Sequence, residues 1–245
     1  MKRRHLLLAA AGLLLVALPF RTRIQRGVVS LIQTAKGRRT VEQRVEEFAP
    51  AVQARLAPEF ARIGITAPPR QLVLVGLKAE RSLEVWVAGK EPGFKRLKTY
   101  PILAASGTLG PKLAEGDRQV PEGIYDLESL NPNSLYHLAL RVGYPGPFDR
   151  EQARVDGRTR LGSDIMIHGK AASVGCLAMG DPAIEELFVL AATTGITNVR
   201  IILSPVDFRR RELPPGGAPG PAWVSALHER LRSALREFTA PDGRN

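Results

Sequence analysis

The sequence predicts a mainly β fold with peripheral helices. Three observations predict it. Between Gln71 and Leu203 apolar residues come in short runs, several of them alternating with polar residues, as in strands. Proline and glycine punctuate these runs at Ala67-Pro68-Pro69, Gly107 to Lys112 and Gly143 to Pro147. Helical spacing is concentrated before residue 64, after Asp181 and after Pro221. With 44% hydrophobic and 24% charged residues among 245, the composition is globular.

Met1 to His5 is a basic start, and Leu6 to Phe20 is an apolar run without charge. This is the pattern of an export signal (residues 1–20), either cleaved or kept as an anchor; a buried N-terminal helix is the competing reading. At 15 residues, 6–20 is short for a spanning helix, which needs about 20. The body is therefore expected in the periplasm or cell envelope. Residues 21–66 form the next region, a basic linker followed by a helical segment. Val41, Val45, Phe48, Val52, Leu56, Phe60 and Ile63 recur at helical steps, and Thr40 with Gln43 offers a capping box. Pro50 and Pro58 predict that this segment is cut into two or three pieces.

The main domain is expected over 67–208. Gln71 to Lys78 and Ser82 to Ala88 read as a hairpin. Leu97 to Ala105, Ile124 onward and Ser134 to Val142 follow as strands. The Gly107 to Lys112 turn lacks the Gly-Lys-Ser/Thr ending of a phosphate loop. Asp164 to Ile167 reads as a short buried strand, Asp181 onward as a helix, and Asn198 to Leu203 as a buried strand. Residues 209–245 comprise a Pro/Gly linker and an amphipathic helix over Ala222 to Phe238, more simply packed on the core than laid on a membrane.

The formal net charge of +11 suits an anionic partner. Basic residues are spread along the chain without interleaved aromatics, which argues against a nucleic-acid groove. The only cysteine is Cys176, and His168 precedes it by eight positions. One reading of a lone cysteine is a small buried hydrophobe. Here Ser173 and Gly175 flank it in a polar turn between strand and helix, and an exported protein with one unpaired thiol is unusual. That pattern suits a nucleophile activated by a neighbouring imidazole. There is no second cysteine and no His-Glu-x-x-His, so neither a metal nor another cofactor is expected.

His168-Gly169 followed by Ser173-Val174-Gly175-Cys176 resembles the catalytic motif of the bacterial L,D-transpeptidase family (YkuD type). The likeness extends to its YafK-like branch through Tyr100-Pro101-Ile102, Ala105-Ser106-Gly107, Gly110-Pro111-Lys112, Glu115 to Tyr125, Asn131-Pro132, Tyr136-His137-Leu138, Gly143-Tyr144-Pro145, Gly157-Arg158-Thr159 and Gly162-Ser163, over roughly residues 58–208. The resemblance implies a β-sandwich or partly open barrel acting on peptidoglycan stem peptides. It implies Cys176 as nucleophile, His168 as proton donor and acceptor, the Gly169 carbonyl orienting His168, and the Gly175 and Cys176 amides as oxyanion donors. Ser173, His137, Tyr144, Arg158 and Arg141 are candidates for binding substrate; for His137 a satisfied core histidine is the equal alternative. Leu177 stands where an Arg often follows the cysteine. Three functions stay open: transpeptidase, hydrolase of the same mechanism, and non-catalytic wall-binding module.

Overall fold

The computed structural model describes residues 37–173, 175–213 and 220–239. The apolar run at 6–20 lies outside them. Among the described residues no helix is long and apolar enough to cross a membrane.

The first helix, α1, runs unbroken over Val41–Ile63 with Pro50 and Pro58 inside it. An interior proline costs about 3 kcal/mol through its missing N–H and ring clash. Here tertiary burial outweighs it: Val52, Leu56, Phe60 and Ile63 all enter the core. The segment is thus one helix and not the two or three pieces its prolines predict.

Among the described residues nine strands follow: β1 (Gln71–Leu77), β2 (Ser82–Ala88), β3 (Lys95–Pro101), β4 (Ala104–Ala105), β5 (Gly123–Ser134), β6 (His137–Val142), β7 (Met166–His168), β8 (Leu177–Ala178) and β9 (Val199–Ser204). They form one sheet in the order β3-β2-β1-β9-β5-β6-β7-β8-β4. The sheet curls at β5, whose first residues pair with β9 and whose later ones pair with β6. The result is a half-barrel, the partly open form of the expected fold. Helix α2 (Pro147–Val155) links β6 to the approach to β7, α3 (Asp181–Thr194) follows β8, and α4 (Val224–Leu235) follows β9.

Alternation in β2 would ordinarily mark a strand with one wet face. Instead both faces are covered. Leu83, Val85 and Val87 join the core shared with α1 and α3. Trp86 joins a second core with Leu227, Leu231, Leu235 and Phe238 from α4 and its end. Glu84 tolerates burial because Trp86 Nε1 donates to it at 2.8 Å and Arg209 Nη2 at 2.9 Å. The C-terminal helix thus packs on the sheet rather than standing apart.

Candidate active site

The site forms where three short strands run side by side. β7 pairs with β8 in parallel, with Ile167 opposite Leu177 and His168 opposite Ala178. Residues directly paired in a sheet, and those two apart on one strand, share a face. Extending the register by one residue therefore puts Cys176 diagonal to His168 on one face, with Cα atoms roughly 8 Å apart. On the other side β4 pairs with β8, Ala105 opposite Leu177, so Ser106 comes opposite Cys176.

His168 ends β7 and is 3% exposed. Its Nδ1 lies 2.6 Å from the Gly169 carbonyl oxygen. A carbonyl only accepts, so Nδ1 carries the proton and the neutral ring keeps its Nε2 lone pair free. Burial pushes the His168 pKa down, and the carbonyl bond only partly opposes this. The strand end is tied down on both sides: Gly169 N donates to Leu138 O, and Met179 N to His168 O. Lys170 N donates to the Asp181 carboxylate at the start of α3. The exposed ring of Tyr136 stacks on the imidazole with centroids 4.5 Å apart and a 31° tilt.

Cys176 is half-buried and free. Its thiol points at the Asp164 carbonyl, with Sγ to oxygen 3.6 Å. Burial raises its pKa, although the Met166 backbone N–H and the Lys112 cation work the other way. Ser173 braces the turn twice: its hydroxyl donates to Cys176 O at 2.5 Å and accepts from Cys176 N at 3.0 Å. Gly175, at φ +83°, donates its N–H to Ser106 Oγ at 2.5 Å. Both amides offered as oxyanion donors thus carry hydroxyl partners in this resting geometry.

Of the sequence-derived candidates, the structure brings together His168, Gly169, Ser173, Gly175 and Cys176. Arg141 joins them through Asp164, its Nη2 3.0 Å from Oδ1. The other three are engaged elsewhere. His137 Nε2 lies 3.1 Å from Glu185 on α3, and its ring meets the edge of Phe48 on α1. Arg158 donates to Asp156 and Leu113 O and lies over Trp223. Tyr144 is 3% exposed, and its hydroxyl donates to the Lys112 and Leu161 carbonyls. Substrate contact by Tyr144 conflicts with that burial, and its ring is a packing element. Sequence reasoning gave no role to Ser106, Tyr136 or Asp164. The first two lie inside matched motifs, but nothing in a one-dimensional pattern shows what they touch.

A sequence model of the L,D-transpeptidase catalytic domain, YkuD, matches residues 70–201. That is more than half of the chain, and it contains every strand from β1 to β8. The chain belongs to this family. The YafK proteins of Escherichia coli K12 and O157:H7, themselves named for L,D-transpeptidases, are each 38% identical to it over 113 residues. That stretch is 45% of this chain and 43% of either relative, so the chain matches less than half the length of those proteins. Among solved structures, the helical cell shape determining protein Pgp2 of Campylobacter jejuni is 22% identical, with a TM-score of 0.46 over 56% of this chain and 48% of that one. L,D-transpeptidase 1 of Mycobacterium tuberculosis is 18% identical, with a TM-score of 0.31 over 55% and 62%. In this member of the YkuD family, His168 ends β7 and Cys176 immediately precedes β8, the strand paired with it.

Proposed function

We propose that the chain is an L,D-transpeptidase-type cysteine acyltransferase of the cell envelope, acting on peptidoglycan stem peptides through a thioacyl-enzyme. The observation that carries this reading is the bond from His168 Nδ1–H to the Gly169 carbonyl, on a ring that shares a face with Cys176. It leaves Nε2 as the base and fixes the plane in which the base works.

The pKa directions favour a neutral resting pair, so the thiol is deprotonated as it attacks. Cys176 Sγ turns from Asp164 O and forms a bond to the carbonyl carbon at the L-centre of the diamino acid. Its proton passes to His168 Nε2, and negative charge collects on the carbonyl oxygen. Collapse breaks the C–N bond, and the departing amine takes the proton from Nε2. The acyl group is left on sulfur. A second amine then attacks the thioester, yields its proton through His168 to the departing thiolate, and completes the transfer. Arg141 is the candidate clamp for a stem-peptide carboxylate, since its guanidinium already holds the Asp164 side chain beside the thiol. His137 and Arg158 are left as outer contacts in this reading. The apolar run at 6–20 is proposed to direct or anchor the protein in the envelope.

Water in place of the second amine makes the same chain a hydrolase of a cross-link or a wall-attached protein. Leu177, buried in β8 where the family often has Arg, keeps that as the second reading. The test is incubation of the purified chain with diaminopimelate-containing peptidoglycan fragments and with cross-linked wall, followed by mass spectrometry, beside Cys176→Ala. New cross-links or exchanged D-amino acids lost in the variant support transfer. Shortened or released stems alone, lost in the variant, mean hydrolysis. Products unchanged in the variant, or none at all, leave the wall-binding module.

A further inference from the structure

The turn that carries Cys176 is held from outside by a residue far away in sequence. Gly175 has no side chain with which to anchor itself, and its φ of +83° lies in the region glycine tolerates best. Its N–H donates to Ser106 Oγ at 2.5 Å, across 69 residues of chain. Ser106 in turn donates its hydroxyl proton to Arg118 O at 2.8 Å. One hydroxyl thus accepts from the thiol turn and donates to a loop, using both sides of its capacity.

That loop is firmly built. Thr108 N donates to Gln119 Oε1 at 2.8 Å. Asp117 accepts from Leu113 N, Ala114 N and Gln119 N at 2.8–3.0 Å. Underneath, Lys78 Nζ reaches Gly110 O at 2.8 Å, Val120 O at 3.0 Å and Glu122 Oε1 at 2.9 Å, and both charged groups are buried. Glu122 also accepts from Gly110 N at 2.6 Å. Such a fully bonded polar network is stiff. The register continues the same line, since Ser106 follows β4 and comes opposite Cys176.

We propose that Ser106 is a positioning residue for acyl transfer: it tethers the Gly175 amide to the 106–122 loop and so fixes the direction in which Cys176 meets an acyl carbon. This rests on the reading of Cys176 as an acyl-accepting nucleophile and adds a residue to it. Attack on a carbonyl builds a tetrahedral adduct that must be served by the His168 base and must expel its leaving group, so sulfur, base and acyl carbon need one arrangement, and small misplacement is costly. Displacement of iodide by sulfur is a single step without such an adduct and needs far less of that arrangement.

The two chemistries separate the role from general damage. The full chain is treated with 4-nitrophenyl acetate, where sulfur gains the acetyl group, the C–O bond breaks and 4-nitrophenolate leaves while the thiol proton is lost to the base. In parallel it is treated with iodoacetamide, where sulfur gains the carboxamidomethyl group and iodide leaves. Ser106→Ala is expected to slow the Cys176-dependent acylation burst about 10- to 100-fold, with alkylation within about threefold of the parent. Ser106→Thr keeps the hydroxyl and is expected to recover most of the lost acylation. Unchanged acylation in Ser106→Ala overturns the proposal, as does an equal fall in both reactions or a Ser106→Thr variant no better than Ser106→Ala. A parent chain with no Cys176-dependent burst overturns the nucleophile reading itself, and the proposal with it. A parent burst with an indifferent Ser106 overturns the tether alone.

Discussion

The ring of Tyr136 covers the imidazole of His168, 4.5 Å between centroids and tilted by 31°. Tyr136 is 42% exposed and His168 3%, so the tyrosine is one of the groups that keep water from the base. Burial is the main reason His168 sits below its ordinary pKa. Tyr136→Ala admits water, so the His168 pKa is expected to rise toward the ordinary value near 6.5. An NMR titration of the His168 ring protons reads this directly. An unchanged midpoint would mean that the strands beneath, not Tyr136, provide the shielding.

A neutral resting pair has a signature in pH. Burial holds Cys176 above the ordinary thiol value and His168 below the ordinary imidazole value. A thiolate–imidazolium pair would give iodoacetamide a rate plateau around neutrality. Here the alkylation rate is expected to climb with pH and to be half-maximal above about 8.5, the ordinary thiol value. A plateau beginning near pH 6 would establish the ion pair instead.

Gly169 is required for space. A Cβ there would meet Asp181 Oδ1 and Tyr136 O at 2.6 Å and His137 Cβ at 3.1 Å. Two of those atoms belong to a backbone carbonyl and to a carboxylate already bonded to Lys170 N, so neither yields easily. Gly169→Ala is expected to destabilise the fold by about 1–3 kcal/mol and to swing the carbonyl off His168 Nδ1. Urea unfolding measures the first effect. The stem-peptide assay measures the second, with a loss of about tenfold or more from an untethered base.

Where a local pattern decided the structure, the sequence was readable. The hairpin of β1 and β2, the buried β9 and the helices after Asp181 and Pro221 follow from period and punctuation. Cys176 and His168 stood out in the sequence because the chain has one cysteine and four histidines. Distant partners decided the rest. Pro50 and Pro58 argue for breaks, and only the core beneath α1 overrides them. Glu84 looks like a solvent position until Arg209, 125 residues away, is seen to hold it. Ser106 is one small residue in a turn motif, and its importance lies in an amide 69 residues on. Tyr144 lies in a matched motif and was a candidate for substrate, yet the fold draws its ring inside.

One carboxylate of α3 reaches both α1 and the β3 edge. Glu186 on α3 is buried and accepts from Arg55 of α1 at 2.5 Å, from Lys98 of β3 at 2.7 Å and from the Tyr100 hydroxyl. Burial alone would raise its pKa, but the bonds from Lys98, Tyr100 and Arg55 outweigh that and hold it below the usual glutamate value. A carboxyl lowered in the fold stabilises above its unfolded pKa, and that contribution disappears as pH falls through the folded value. Stability is therefore expected to drop below about pH 4.3, the ordinary glutamate value. Glu186→Gln keeps the volume and removes the charge, leaving Lys98, partly exposed, to turn to solvent and Arg55 to its second partner, Glu185 at 3.1 Å. The expected cost at neutral pH is about 3 kcal/mol, the low end for breaking a buried pair. The gap between parent and variant should narrow as pH falls from neutral to 3, because protonation does to the parent what the substitution does to the variant. Urea midpoints at the two pH values test this. A gap that does not narrow as pH falls would mean that Glu186 acts through shape rather than charge.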